Sequence, residues 1–193
     1  MERFGAVLAL WGARTNLTAK PEDPAEIAFH IADSLMPLKF MPDILGEGMR
    51  VLDFGSGAGF PGLVLASACD AQFTLAEARQ KRASFLKVAA AEMGLDNTEI
   101  LSARLQEKAV VPHFHAVFSR ASGPPADFHA IAAAALLPEG LAILYSTPSQ
   151  RLDLASAQRR GLVDYRRYPY SLRRGAGRVD RVLAVWRKAE KAA

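Results

Sequence analysis

The sequence has a single cysteine, Cys69, among its 193 residues. One thiol cannot close an intramolecular disulfide, so the chain is not a disulfide-stapled secreted domain, and a reducing, cytoplasmic location is expected. The apolar opening at residues 4–13 is too short to span a bilayer, and no membrane association is expected. With only four histidines and one cysteine, no zinc-ligand spacing is present, and no metal is expected.

Acidic residues are scarce in the carboxyl-terminal segment, residues 151–193. This segment holds twelve Lys and Arg against four Asp and Glu, whereas the whole chain carries only +4, so the preceding 150 residues carry −4. A basic segment on an acidic body indicates a polyanionic partner, and a solvated surface is the alternative explanation. Its candidate phosphate contacts are Arg173, Arg174, Arg178 and Arg181.

Residues 51–62 read V-L-D-F-G-S-G-A-G-F-P-G, which predicts an apolar strand, a glycine-rich turn and a helix. Gly55 and Gly57 permit positive φ angles and close approach of a ligand to the backbone. Phe60 stands where the dinucleotide fingerprint G-x-G-x-x-G needs its third glycine, and the Gly-Lys-Ser/Thr of a P-loop is absent. The segment therefore resembles the first motif of the S-adenosylmethionine-dependent methyltransferases.

Apolar strands alternate with helical segments along the chain. We expect strands at 51–54, 72–76, 98–101, 115–118 and 141–145, helices at 2–13, 24–40, 62–69, 79–92, 126–137 and 150–160, and a terminal antiparallel hairpin at 163–170 and 179–186. This alternation predicts an α/β fold with a doubly wound, mostly parallel sheet that binds its ligand beyond the carboxyl ends of the strands. The length predicts one domain, with a helical region at 1–46 and a cofactor-binding core at 50–193.

Glu77 closes the second predicted strand. At that place an acid can accept hydrogen bonds from both ribose hydroxyls of an adenosine-type ligand. NAD and S-adenosylmethionine both carry that ribose, so Glu77 does not separate them. An ordinary acid before a helix is the alternative.

The second predicted helix carries His30 and Asp33 three residues apart, on one helical face. A surface His–Asp pair would explain the spacing equally well. At the start of this helix, Asp23 is followed three residues later by Glu26, which predicts a capping box.

Together these residues resemble one family closely, the bacterial RsmG (GidB) enzymes, which methylate N7 of a guanine in small-subunit (16S) ribosomal RNA. The resemblance implies a Rossmann-like, class I S-adenosylmethionine-dependent methyltransferase fold: a seven-stranded, mostly parallel sheet with an antiparallel carboxyl-terminal hairpin and amino-terminal helices. The motifs that carry it are N-L-T-A at 16–19, H-I-A-D-S-L at 30–35, the glycine turn at 51–62, F-T-L at 73–75, K-R at 81–82, F-L at 85–86 and S-R-A at 119–121.

The resemblance assigns roles to particular residues. It places S-adenosyl-L-methionine against Gly55, Gly57, Phe60, Glu77, Leu105, Gln106 and Arg120. It places the guanosine of 16S ribosomal RNA, free or in a small-subunit particle, near Asn16, His30, Asp33 and Ser34. The phosphate contacts predicted at Arg173, Arg174, Arg178 and Arg181 rest on the basic charge of the carboxyl-terminal segment and not on the resemblance. Arg120 has two open roles, because it could bind the cofactor carboxylate or donate to guanine O6. A monomer is expected.

No catalytic residue is assigned, because guanine N7 carries a free lone pair and needs no deprotonation at neutral pH. The sequence departs from the family pattern at Phe29, where a basic residue is frequent, at Gln106, where an acid is usual, and at residues 145–147, where a lysine and a glycine are common. Two other functions share some of these features: an NAD-dependent oxidoreductase, and a non-catalytic RNA-binding protein with a methyltransferase fold.

Overall fold

The computed structural model describes residues 1–110, 113–120 and 123–190, without the side chains of residues 13, 14 and 109. Ala121 of the S-R-A motif lies outside the described residues. No helix in these ranges is long and apolar enough to cross a membrane. The helices are α1 (Glu2–Thr15), α2 (Pro24–Phe40), α3 (Gly62–Ala66), α4 (Gln80–Met93), α5 (Pro125–Ala135) and α6 (Leu154–Arg159), and the strands are β1 (Arg50–Phe54), β2 (Gln72–Ala76), β3 (Thr98–Leu101), β4 (Phe114–Arg120), β5 (Leu136–Ser146), β6 (Leu162–Arg174) and β7 (Gly177–Lys188).

The seven strands form one sheet in the order β3-β2-β1-β4-β5-β7-β6. Strands β1 to β5 pair in parallel, whereas β7 runs antiparallel to both β5 and β6. The predicted mostly parallel sheet with its carboxyl-terminal hairpin is confirmed. Strand order reverses between β1 and β4, which opens a crevice beyond their carboxyl ends, the usual ligand site of such sheets.

Side chains alternate between the two faces of the sheet, as the pleat of a strand requires. Val51 packs in the cluster that holds α1 to α4, and Leu52 packs in the cluster under α5 and α6. Phe4 and Leu8 of α1 are fully buried in the first cluster. The amino-terminal helices therefore contribute to the same core as the glycine turn.

Several element boundaries differ from the sequence prediction. Strand β5 begins at Leu136, where a helix to residue 137 was expected, because Pro138 disfavours helical geometry in the residue before it. Helix α6 begins later than expected, where the Asp153 carboxylate accepts from the Ser156 amide. Helix α3 ends at Ala66, and the Asn97 side-chain amide lies 3.0–3.2 Å from the carbonyls of Ala66, Cys69 and Ala71.

The terminal hairpin is longer than expected. Pairing of β5 with β7 ends at Val182, while β6 and β7 continue as a two-stranded ribbon to Arg174 and Gly177. Tyr168 and Tyr170 of β6 lie 5.2 and 6.1 Å from the Phe40 ring of α2, measured between ring centroids. The ribbon is thereby packed against α2.

Candidate active site

Asp53, the acid of the first strand, holds the glycine turn together. Its side chain is buried, and Oδ2 accepts from the Gly62 amide at 3.1 Å. A Cβ atom at Gly62 would stand 2.5 Å from that same oxygen, so only glycine fits. Burial raises the pKa of Asp53 to about 6, against hydrogen bonds that lower it. The acid therefore ties both ends of the turn to each other.

Glu77 braces the turn from β2. This residue is only 6% exposed, and its two oxygens accept from the amides of Gly57 at 3.0 Å and Arg79 at 2.7 Å. Each carboxylate oxygen has a second lone pair for a ligand hydroxyl. The predicted ribose acceptor is thus fixed in place by backbone donors.

A cavity of about 670 Å³ opens beside Glu77, and we call it the turn cavity. Its size suits a small-molecule ligand. Its walls combine the bare backbone of the turn, the Glu77 carboxylate and apolar and charged side chains, including Gly55, Arg82, Leu105, Asp127 and Ile131.

The structure brings together part of the predicted cofactor set. Gly55, Glu77 and Leu105 line the turn cavity, and the Gly57 amide donates a hydrogen bond to Glu77. Gln106 is exposed, at the start of a 3₁₀ helix next to Leu105. Phe60 and Arg120 lie elsewhere, as described next.

A second cavity, of about 400 Å³, lies beside Arg120 at the carboxyl end of β4, and we call it the arginine cavity. Phe60 connects it to the glycine turn: the Arg120 guanidinium stands 5.0 Å from the Phe60 ring centroid. Residues 145–147, a point of departure from the family pattern, line this cavity. Its wall also includes His30, Asp33, Gln150 and Arg181.

Arg120 is held by two residues of α2. Its Nη1 donates to Asp33 Oδ2 at 3.1 Å and lies 3.2 Å from His30 Nδ1. The other Asp33 oxygen accepts from the Tyr170 hydroxyl of the ribbon at 2.7 Å. Asp33 is 1% exposed, so its charge is balanced by Arg120 and not by water. The predicted His30–Asp33 face is therefore an internal anchor for Arg120.

His30 is neutral in this arrangement. Burial, aided by the Arg120 charge, lowers the pKa of His30 to about 4. Its Nε2 lies 3.2 Å from Glu26 Oε1. A guanidinium only donates and a carboxylate only accepts, so we assign the tautomer with hydrogen on Nε2. Both ring nitrogens are then engaged.

Two other predicted substrate residues have internal partners. Ser34 is fully buried, and its hydroxyl donates to the His30 carbonyl at 2.7 Å. Asn16 ends α1 in the left-handed region, with φ 46°, and its carbonyl accepts from Arg82 at 2.9 Å. Asn16 therefore meets the turn cavity through Arg82, whereas Ser34 supports the backbone of α2.

Arg174 differs from Arg173 and Arg178, two of the three other arginines predicted to bind phosphate. It makes a two-point contact with Glu26, with Nε at 2.8 Å from Oε2, and it stands over the Phe29 ring. Arg173 and Arg178 are exposed and face each other across the ribbon. Unlike Arg174, neither Arg173 nor Arg178 forms an ion pair with another described residue.

The predicted capping box at Glu26 is wrong. Asp23 does cap α2, accepting from the Ala25 amide at 2.9 Å, but Glu26 is buried and its pKa is lowered, chiefly by its hydrogen bonds with Arg174. The sequence prediction also gives no role to Asp53, Arg82 or Tyr170. Asp53 had a signal, an acid inside an apolar strand. Arg82 and Tyr170 make contacts across separations of 66 and 137 residues, which no local pattern reports.

The chain is similar in sequence to proteins of one known family. A family model described as rRNA small subunit methyltransferase G (GidB) matches residues 1–169. The relative named ribosomal RNA small subunit methyltransferase G from Nitrosospira multiformis is 39% identical over 127 residues, 65% of this chain and 56% of that protein. Its namesake from Methylobacillus flagellatus is 36% identical over 137 residues, 70% of this chain and 64% of that protein. The chain thus spans less than two thirds of either relative.

Among solved structures, the tRNA (m1A58) methyltransferase TrmI from Aquifex aeolicus has a TM-score of 0.62 and 18% identity, covering 83% of this chain and 69% of that one. This likeness concerns the fold. With the sheet order, it confirms the predicted Rossmann-like, class I methyltransferase architecture.

Proposed function

We propose that this chain, which belongs to the family described as rRNA small subunit methyltransferase G, transfers a methyl group from S-adenosylmethionine to N7 of a guanosine in 16S ribosomal RNA. One observation carries the proposal. The ring of Phe60, in the glycine turn, lies against the Arg120 guanidinium, so the turn that borders the proposed cofactor cavity also contacts the arginine that borders the proposed base cavity. The family likeness names the substrate class.

The residues of the turn cavity fit the cofactor. Glu77 offers a buried carboxylate for the ribose hydroxyls, and Leu105 and Ile131 offer apolar surface for the adenine. Gly55 has φ 77°, a conformation that brings bare backbone to the cavity wall. When bound, S-adenosylmethionine would supply an electrophilic methyl carbon on its sulfonium. The protein's part is to hold and orient it.

We assign Arg120 to the base and not to the cofactor carboxylate. It lines the arginine cavity, and its described contacts run through Nη1. The remaining N–H groups of the guanidinium can donate to guanine O6, an acceptor next to N7. Thr147 and Gln150 add polar groups to the same wall. Arg120 would thus align N7 while Asp33 neutralises its charge.

The chemistry needs no base. The N7 lone pair is available at neutral pH, so alignment of nucleophile and methyl carbon supplies the catalytic effect. His30 suits that requirement: it is neutral, with its pKa at about 4, and each of its nitrogens lies 3.2 Å from a neighbouring side chain. It orients Arg120 and transfers no proton.

The ribbon is the proposed phosphate-binding surface. Arg173 and Arg178 are exposed on it, and Arg181 lines the arginine cavity from β7. Phosphate contacts along this path would guide a guanosine into the cavity. We further propose that residues 1–193 act as one domain and as a monomer in the cytoplasm, on free 16S ribosomal RNA or a small-subunit particle.

The test is methylation of defined substrates. Purified protein is incubated with methyl-labelled S-adenosylmethionine and with either 16S ribosomal RNA or small subunits from cells lacking the protein, and the product is mapped by mass spectrometry. We expect one N7-methylguanosine in at least one substrate, and none with Glu77→Ala. NAD binding in place of S-adenosylmethionine would support the oxidoreductase. RNA binding without cofactor binding would support a non-catalytic protein.

A further inference from the structure

Glu26 has no role in the proposed reaction as described so far, yet it connects the ribbon to the arginine cavity. Glu26, His30 and Asp33 lie along one face of α2, spaced by four and three residues. Glu26 holds Arg174 of the ribbon through both its oxygens and lies 3.2 Å from His30 Nε2. On its other side, His30 meets Arg120. The chain of contacts therefore runs unbroken from β6 to β4.

We propose that Glu26 is a positioning residue for methyl transfer: by accepting the Nε2 hydrogen of His30, it presents Nδ1 as an acceptor to Arg120 and so fixes the direction of that guanidinium. The inference rests on the proposed function, in which Arg120 aligns the guanine. It adds a residue that touches neither substrate nor cofactor and acts through His30.

The argument follows from donor and acceptor counts. A neutral imidazole has one donor and one acceptor nitrogen, and which is which depends on its neighbours. Glu26 can only accept, so it selects the hydrogen on Nε2. With the opposite tautomer, an N–H at Nδ1 would face the N–H of Arg120 at 3.2 Å. That contact would push the guanidinium away from His30.

Two contacts at one nitrogen make the orientation specific. Arg120 Nη1 is shared between Asp33 at 3.1 Å and His30 at 3.2 Å. Asp33 balances the charge but leaves the guanidinium free to pivot about the ion pair. A second acceptor on the other side removes that freedom, because both bonds are satisfied in one orientation only. Loss of the His30 acceptor should affect alignment more than cofactor binding.

The alternative is that Glu26 merely anchors the ribbon through Arg174. Two variants separate the roles. Glu26→Gln keeps the shape of the side chain but cannot accept from both neighbours at both oxygens. Arg174→Gln removes the ribbon contact and leaves the carboxylate facing His30. An anchoring role predicts the same result for both variants, and a positioning role predicts different results.

The first measurement is the tautomer of His30 in the free protein, by ¹⁵N NMR of the imidazole nitrogens at pH 7. We expect the Nε2–H form in the wild type and in Arg174→Gln, and a mixture of tautomers in Glu26→Gln. This readout needs no RNA, cofactor or activity, so it stands even if the methyltransferase assignment fails. An Nδ1–H or protonated His30 in the wild type would overturn the proposal without any variant.

The second measurement is the methyl-transfer kinetics. We expect Glu26→Gln to lower kcat about tenfold, the effect of losing one charge-assisted hydrogen bond that acts in the transition state. Binding of S-adenosylmethionine should stay within about twofold, because the turn cavity is untouched. Glu139→Gln, which removes an exposed carboxylate partner of Arg187 away from both cavities, is the control and should keep the wild-type kcat. The proposal is refuted if Glu26→Gln and Arg174→Gln lose kcat equally and both keep the wild-type His30 tautomer. Glu26 would then only anchor the ribbon through Arg174.

Discussion

Gly62→Ala should destabilise the glycine turn although the new side chain is one methyl group. The added Cβ would stand 2.5 Å from Asp53 Oδ2, 3.0 Å from Leu75 Cγ and 3.1 Å from Asp53 Cβ. All three atoms are buried in the interior of the sheet. The methyl group therefore displaces the carboxylate that accepts from the residue 62 amide.

The loss of unfolding free energy in Gly62→Ala has two parts. Overpacking a dense interior costs about 1–3 kcal/mol, and losing a hydrogen bond to a charged group costs about 1.5–3 kcal/mol. The sum is about 2.5–6 kcal/mol of unfolding free energy. At about 3 °C per kcal/mol for a domain of this size, Tm should fall by about 8–18 °C.

The assay is thermal unfolding followed by circular dichroism, with S-adenosylmethionine titration by calorimetry at a temperature where the variant is folded. Gly46→Ala is the matched control: its φ is −85° and its Cβ would meet nothing within 4 Å. It should gain about 0.4–1 kcal/mol or stay neutral. If the Tm of Gly62→Ala lies within about 2 °C of the Tm of Gly46→Ala, the hydrogen bond between Asp53 and the residue 62 amide does not stabilise the turn.

Three further perturbations address the ligand sites. Gly55→Val should abolish S-adenosylmethionine binding in calorimetry, because valine resists the φ of 77° and fills space beside the ligand; unchanged affinity would remove the methyltransferase assignment. Replacing Arg173 and Arg178 by Gln should flatten the log-log salt dependence of RNA binding by about 1.4–1.8, on the scale of 0.7–0.9 per phosphate contact, whereas Arg187→Gln, in an exposed pair, should leave the slope unaltered. His30→Gln should lower kcat without adding a limb between pH 6.5 and 8.5. The pKa of His30 is lowered from about 6.5 in the unfolded chain to about 4 in the folded protein, so the wild type should lose about 3 kcal/mol of unfolding free energy as pH falls from about 6.5 to about 4. Urea unfolding of the His30→Gln variant should show less of this loss.

Much of the fold follows from local patterns. The glycine turn with Glu77 and the alternation of strands and helices predict the parallel sheet and the place of the turn cavity, because these depend on residues close in sequence. The carboxyl end of α5 differs from the sequence prediction for a local reason as well. Residues 136 and 137 are apolar enough to continue a helix, and only Pro138 marks the change to a strand.

The arginine cavity was harder to predict, because its groups meet through tertiary contacts. The pattern H-x-x-D places His30 beside Asp33, but it does not show that Arg120 lies between them and the turn. Glu26 has the spacing of a capping box, but it is buried and pairs with Arg174, 148 residues away, and this ion pair outweighs the local preference. Local pattern identifies the residues here, and long-range charge pairing decides what they contact.

The arginines of β6 have a consequence for solubility. Strand β6 is the edge of the sheet, and an exposed edge is a template for pairing with another chain. This edge is interrupted by an irregular register between Val163 and Arg166 and by Pro169, and Arg166, Arg167 and Arg173 are exposed along it. Positive charge spaced along the outer strand keeps two copies of the protein apart through mutual repulsion. Neutral replacements of these arginines will therefore make the protein more prone to form intermolecular β-sheet.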